Sequence, residues 1–407
     1  MFKEDIMLAS ISKFQTSSLV SRGIALATAA LLGACGSGSG PHHPPPPPPP
    51  SGITYDVVQL VADPAARFRV TPRGINQFDM VTGTGARPEL PSRAFLYNGT
   101  RTIDLGDFGG GVSQAFAINR CGHVAGWALG PEGDIPQSFL YDGTLRRIGT
   151  PGVFSEAYAL NDCGQMVGTA RFGGQGHAFL FGGIMRDLGT LGGRASEAVD
   201  INAHGMVAGN SLLPGDIVIH GFIYDSRTGA PLRDLGTLGG NRTIARAINN
   251  AGQITGWANN AAGAMRAIRY HNGVLRDLGT LEGDAGYASE GFEINEAGFV
   301  VGISTAFDNA QRGFVHDGAT MHPVILPGAS FGEALAINAH GTAVGSSQTL
   351  GVQHAVSWTL AEGTVDLNTR LHAAPPGLVL IRALAINDKG SIVVASNNGL
   401  VLLKVRP

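Results

Sequence analysis

The side chains of this sequence whose type and spacing invite chemistry are cysteines, tryptophans and a recurrent basic or amide residue. Cys121 and Cys163 each stand two residues after an asparagine, Asn119 and Asn161, in adjacent copies of one repeating motif. Equivalent turns of neighbouring repeats packed about an axis lie roughly 6–8 Å apart, at the edge of disulfide reach. In an oxidising compartment the two thiols are expected to be bonded, against the alternative of two separate small buried thiols. Arg93, Gln137, His177, His220, Arg266, Arg312 and His354 recur at one place in the first seven copies and should form a ring near one face. Such a ring can grip an anionic polymer through charge-assisted hydrogen bonds. Its recurrence from copy to copy favours the other reading, in which each side chain satisfies the loop beside it. No His-x-His or Glu-x-x-His spacing accompanies it, so no metal ligand is assigned.

Trp127 and Trp257 directly follow Gly126 and Gly256, and Trp358 ends a strand-like run. They are candidates for stacking on a sugar, although large rings at such places usually pack between sheets. The irregular loops 129–136, 212–219, 282–290 and 306–311 are better candidates for specificity. They carry Glu132, Asp134, Asp216, Glu282, Asp284 and Asp308, which would meet a cation or a basic partner, or simply stand solvated. There is no Gly-x-Ser-x-Gly elbow, Walker loop or His-Glu-x-x-His, so no catalytic residue and no cofactor is assigned. A non-catalytic binding or interaction module is the leading expectation. The rivals are an enzyme acting on an extracellular polysaccharide at a channel mouth, assembled from several repeats, and a purely structural envelope protein.

The elements that position these residues follow from the repeat. An Ile/Leu-Asn motif places asparagines at 76, 119, 161, 202, 249, 295, 338 and 387, with spacings of 43, 42, 41, 47, 46, 43 and 49 residues. The fifth copy shows four β-like runs: Ala245 to Asn249, Gln253 to Ala258, Arg266 to Tyr270 and Val274 to Leu278. We term them strands a to d. Between a and b, Asn249-Asn250-Ala251-Gly252 supplies an Asx turn and a glycine for positive φ. The first copy carries Asp79 in that glycine slot, a residue that tolerates the left-handed region. Four antiparallel strands at this period predict an all-β, eight-bladed propeller. The run Tyr55 to Leu60 is of the d type and the chain ends on a, b and c, so the N-terminal strand should pair with Leu400 to Val405 and close the ring. Seven blades plus a stray hairpin is the alternative.

Residues 1–35 read as an export signal, in which Lys3, Lys13 and Arg22 precede an uncharged run from Gly23 to Ala34 that is too short for a permanent membrane span. The run ends Leu32-Gly33-Ala34-Cys35, which resembles the lipobox of bacterial lipoproteins. That resemblance implies acylation of Cys35, with membrane lipid as the partner of the anchor. Because Gly36 rather than aspartate follows, it also implies an outer-membrane site, with the repeats in the periplasm or at the cell surface. Residues 36–52 are Gly/Ser- and then Pro-rich, and at ~3.1 Å per residue the stretch from Pro41 to Pro50 forms a stalk of about 30 Å. Residues 53–407 are the repeat domain. A net charge of −3 with 14% charged residues argues against a nucleic-acid partner, and the chain is expected to be monomeric.

His177-Ala178-Phe179, the Asp-Leu-Gly-Thr-Leu-Gly-Gly runs at Asp187 to Gly193 and Asp234 to Gly240, and Ala-Ile-Asn-x-x-Gly together resemble the HAF family of probable extracellular repeats. The resemblance covers residues 53–407, including the ending from Asp366-Leu367-Asn368 to Ala385-Ile386-Asn387. It implies an exported repeat protein without a shared reaction or known substrate, and the binding module expected above would take a polysaccharide or protein ligand.

Overall fold

The computed structural model describes residues 52–62, 69–87, 90–131, 133–283, 287–305 and 310–406. Their strands form eight four-stranded antiparallel sheets. In the fifth blade the strands are Gly239–Ile248, Ile254–Asn260, Met265–His271 and Val274–Asp277, in the order the repeat predicts. Each a strand packs against the a strands of both neighbouring blades, so these strands form a closed inner wall. The d strands, two to four residues long in the first seven blades, lie outermost, and such short edges offer little template for pairing with another chain.

Closure follows the expected strand count. Tyr55–Ala62 pairs antiparallel with Gly399–Val405, setting Tyr55 opposite Val405 and Ala62 opposite Gly399, and Leu380–Ile386 is the innermost strand of that blade. The ring therefore has eight blades, and the seven-blade alternative is excluded. The long connection after Asp366 begins with a 3-10 turn, Leu367–Arg370, and its His372 amide donates to the Tyr55 carbonyl at 2.9 Å. It thereby occupies part of the free edge of the closing strand.

Apolar alternation places a hydrophobic cluster at each blade boundary, with a second at the boundary between the fourth and fifth blades. Between the second and third blades, for example, Ala125 and Leu140 meet Leu160, Met166 and Phe179. The cluster at the closing boundary joins Leu400 and Leu402 to Ile75, Val81 and Phe95. Every a strand carries a β-bulge three residues before its asparagine, as at Phe116, Tyr158 and Arg246. In the first seven blades the strand-b residue facing this bulge is a glycine, and in the third the close approach leaves room for nothing else. A methyl group at Gly168 would sit 1.9 Å from the Glu156 carbonyl oxygen, so no larger residue fits.

The repeated asparagines do more than turn the chain. Each side-chain Oδ1 accepts from the amide four residues on, at 2.9–3.1 Å, which fixes the a–b hairpin. Each Nδ2 donates to the backbone carbonyl of the asparagine in the next blade, at 2.9–3.3 Å. The last of these bonds runs from Asn387 to Asn76, so the eight side chains form a closed ladder around the axis. In the first copy Asp79 holds φ 60°, as the turn requires.

Candidate functional site

The up-and-down order of each blade puts the a–b and c–d turns on one face and the b–c and d–a connections on the other. The chain enters on the a–b face, because Tyr55 lies opposite Val405 at the end of a c strand, and the Arg406 amide donates to the Thr54 carbonyl at 3.0 Å. The irregular loops thus lie on the face opposite the point of entry.

The basic ring lies on that loop face and is built into it. His177, His220 and His354 place Nδ1 at 2.9, 2.8 and 2.6 Å from Asp187, Asp234 and Asp366 of their own d strands. The same carboxylates cap the d–a turns, as when Asp187 Oδ1 accepts from the Gly189 amide at 2.8 Å. Arg93 pairs with Asp107, Arg266 donates to the Tyr287 carbonyl, and Arg312 reaches Glu282 at 2.9 Å. Gln137 Oε1 accepts from the Gly152 amide at 3.2 Å. All seven side chains hold d–a connections or the start of the next strand, which is the structural one of the two readings.

The tryptophans do not converge. Trp257 packs against Leu212, Ile219 and Ile244 between the fourth and fifth blades. Trp358 is 4% exposed in the cluster between the sixth and seventh. Trp127 is half-buried, opposite Gln114 and Ser138. Asp216 does not stand solvated: at φ 58° on a b–c hairpin, its Oδ1 accepts from the Arg194 amide at 2.7 Å. Glu282 is held by Arg312. Asp134 lies in the strand Gly133–Tyr141, whereas Glu132, Asp284 and Asp308 lie outside the described residues, as does Cys35.

The expected bond between Cys121 and Cys163 is not formed, since Cys121 carries a free, exposed thiol. The Cys163 sulfur is itself engaged in a disulfide and so is not available to Cys121. Contact between these two turns is made instead by Asn119 and Arg120, whose side-chain and backbone nitrogens donate to the Asn161 carbonyl and to Asp162 Oδ1.

Two groups escaped the sequence reading. The first is a set of inner-wall carboxylates on the a strands. Asp200 Oδ2 accepts from the Ile248 amide of the next blade at 2.9 Å, and Glu293 Oε2 from the Ile337 amide of its own next blade at 3.2 Å. Burial pushes Asp200 up to about 7 and raises Glu293 well above the ordinary carboxylate range. Each acid stands two residues before its own asparagine and meets the amide one residue before the asparagine of the next blade, a relation that only the register shows. Among the described residues no group of three or more His, Cys, Asp or Glu is arranged to hold a metal ion.

The second is a cleft of about 500 Å³ at the boundary between the seventh and eighth blades, on the a–b face. It is walled by the entering chain Gly52 to Tyr55, by His340 and Lys389 on adjacent a–b turns, and by Arg370 and Arg406. Burial pushes the Tyr55 phenol up to about 12, against the opposing pull of the Arg370 guanidinium. Equivalent turn positions and a terminal arginine signal such a site only once closure is known.

This architecture defines the class: an eight-bladed β-propeller closed by its own termini. No family model matches the chain, and no curated protein matches it. Among solved structures, the β-propeller domain of the Trilobed protease from Pyrococcus furiosus is similar over 76% of this chain and 99% of that one, with 12% identity and a TM-score of 0.51. That domain is described as having an open velcro topology, whereas here the terminal strands are paired. A structure from work on two prolyl endopeptidases has 16% identity and a TM-score of 0.49, over 84% of this chain and 53% of that one. TolB from Acinetobacter baumannii has 14% identity and a TM-score of 0.38 over 60% of this chain, which spans about 61% of the TolB length. These likenesses concern the fold alone.

Proposed function

We propose that this chain is an exported, lipid-anchored repeat protein of the HAF type. In this reading it is a non-catalytic recognition module that offers its b–c and d–a face to a polysaccharide or protein partner in the envelope or at the cell surface. The observation that carries the reading is the point of chain entry. A stalk joined at Gly52 and anchored through Cys35 would leave the irregular loops facing away from the lipid. Those loops expose apolar side chains that packing does not use: Ile217 is 81% and Leu350 96% exposed. Leu350 also holds φ 52°, a left-handed conformation unfavourable for leucine. Exposed apolar tips of this kind suit contact with a partner.

The test is a binding screen of the purified protein against envelope glycans and surface proteins, repeated with Leu350→Gly, Ile217→Ser and Trp127→Ala. Saturable binding without turnover, lost in one or more variants, supports the reading. Release of product from a bound polymer would replace it with the enzyme reading, and absence of binding with the structural one. Metabolic labelling with a radioactive fatty acid, lost in Cys35→Ala, tests the anchor.

A further inference from the structure

We propose that the cleft between the seventh and eighth blades is a second binding site, for a small anionic sugar carrying a carboxylate or phosphate. It lies on the face opposite the loops, so it stands or falls independently of any ligand bound there.

The argument is a charge balance. Arg370 and Glu362, both on the cleft wall, neutralise each other at 3.1 Å. Asp388 is occupied by the fold. It continues a second ladder one residue after the asparagines, in which Arg120 donates its amide to Asp162, Ala203 to Asn250 and Ala339 to Asp388 at 2.8 Å. Its other oxygen accepts from Gln77 Nε2, also at 2.8 Å. Lys389 and Arg406 remain on the wall, and among the described residues neither has a carboxylate within salt-bridge distance. The only charge contact of Lys389 among those residues is with the face of Phe78, at 5.7 Å. Asp388 keeps its negative charge, since both of its donors are neutral amides, so the three cations Arg370, Lys389 and Arg406 exceed the two carboxylates of the wall by one and the cavity is net positive.

A third group points the same way. His340 lines the cleft, and among the described residues its buried Nδ1 has no hydrogen-bond partner. An unpaired buried polar atom is unfavourable, and a ligand atom accepting from or donating to it would relieve that penalty. The remaining wall is rich in hydroxyl groups, from Thr54, Thr342, Ser357 and Thr359. Cations hold an anion and hydroxyls pair with hydroxyls, which together describe a charged sugar. The volume falls in the range of roughly 300–1,000 Å³ typical of small-molecule sites. The cleft arises here because only this boundary receives both the entering chain and the exit at Arg406.

Isothermal titration of the full chain with glucuronate, glucose 6-phosphate, neutral glucose and inorganic phosphate tests the proposal. The expected result is saturable binding of glucuronate or glucose 6-phosphate, at least tenfold tighter than glucose. It should weaken tenfold or more in Lys389→Gln/Arg406→Gln and fall at high salt, with inorganic phosphate weaker than its sugar ester. Both substituted residues are exposed, and a thermal melt confirms that the variant is folded. His340→Phe, which removes the orphaned nitrogen, should also weaken binding. Absence of binding by either anionic sugar would overturn the proposal. So would equal affinity for glucose, or affinity unchanged in the folded double variant. Inorganic phosphate binding as tightly as glucose 6-phosphate, with no binding of glucuronate, would overturn the sugar assignment.

Discussion

The two faces of the propeller obey different rules. On the a–b face the eight turns share one conformation, and each asparagine side chain bonds both to its own hairpin and to the next blade. On the opposite face the b–c connections run from the two glycines between Phe172 and Gln175 to the longer hairpin between Leu212 and Ile219. The difference is one of radius. Turns at the inner wall touch both neighbours, so length and sequence are held by several bonds at once, whereas the outlying hairpins touch few neighbours and are free to vary. The lesson is that regularity marks the scaffold, and candidate sites lie where the regular pattern stops: at the loop tips and at the one boundary where the termini meet.

Four measurements would break or sharpen this contrast. The largest effect concerns pH. Asp200 titrates near 7 when folded and near 3.8 when not, so the native state holds its proton more tightly. Its contribution is fully present below about pH 4 and is lost as pH rises through about 7. Relative to Asp200→Asn, the protein should lose up to roughly 4 kcal/mol across that window, because each tenfold difference in proton affinity between the folded and unfolded states is worth about 1.4 kcal/mol. Parallel stability curves for the two proteins would show that this inner-wall carboxylate is not strained by burial.

Next in size, Asn249→Ala removes the bond to the Asn295 carbonyl and the cap on the Gln253 amide, both 2.9 Å, from a fully buried position. A loss of about 3 kcal/mol in urea unfolding is expected. A change below about 1 kcal/mol would mean that the ladder is ornamental. In the opposite sense, Leu350→Gly on the loop face should stabilise by about 1 kcal/mol, because glycine accepts the left-handed backbone. Destabilisation there would show that the leucine packs within the fold rather than awaiting a partner. The smallest effect is a null one: alkylation of exposed Cys121 under non-reducing conditions should proceed fully and leave the melting temperature unchanged. Protection from alkylation would restore the bonded pair.

Much of the fold was legible in the residues. The asparagine period counted the blades, the Asn-x-x-Gly turns marked the hairpins, and the d-type run at Tyr55 predicted the closing pair with Val405. The asparagines themselves were only half legible. Their role as turn formers is local, whereas the donation from Nδ2 to the next blade depends on how closely two turns approach. The basic ring was visible, as were the Asp-Leu-Gly runs, yet nothing in the spacing joined His177 to Asp187 across the c–d hairpin. The cysteine pair failed for the converse reason: equivalent positions in a sequence suggest proximity but do not decide which sulfurs bond, and Cys163 is engaged elsewhere while Cys121 stays free.

By itself, then, the sequence determined the repeat, the strand order, the turn chemistry and the manner of closure, because all of these rest on periodicity and on the backbone preferences of single residues. Only the tertiary structure decided which side chains meet across blades. Strand register set the inner-wall acids against neighbouring amides, Cys121 was left a free thiol while Cys163 was engaged elsewhere, and closure gathered His340, Lys389 and Arg406 around one cleft. Those contacts join residues tens to hundreds of positions apart, and their geometry is fixed by the angle between blades, a quantity that no local pattern encodes.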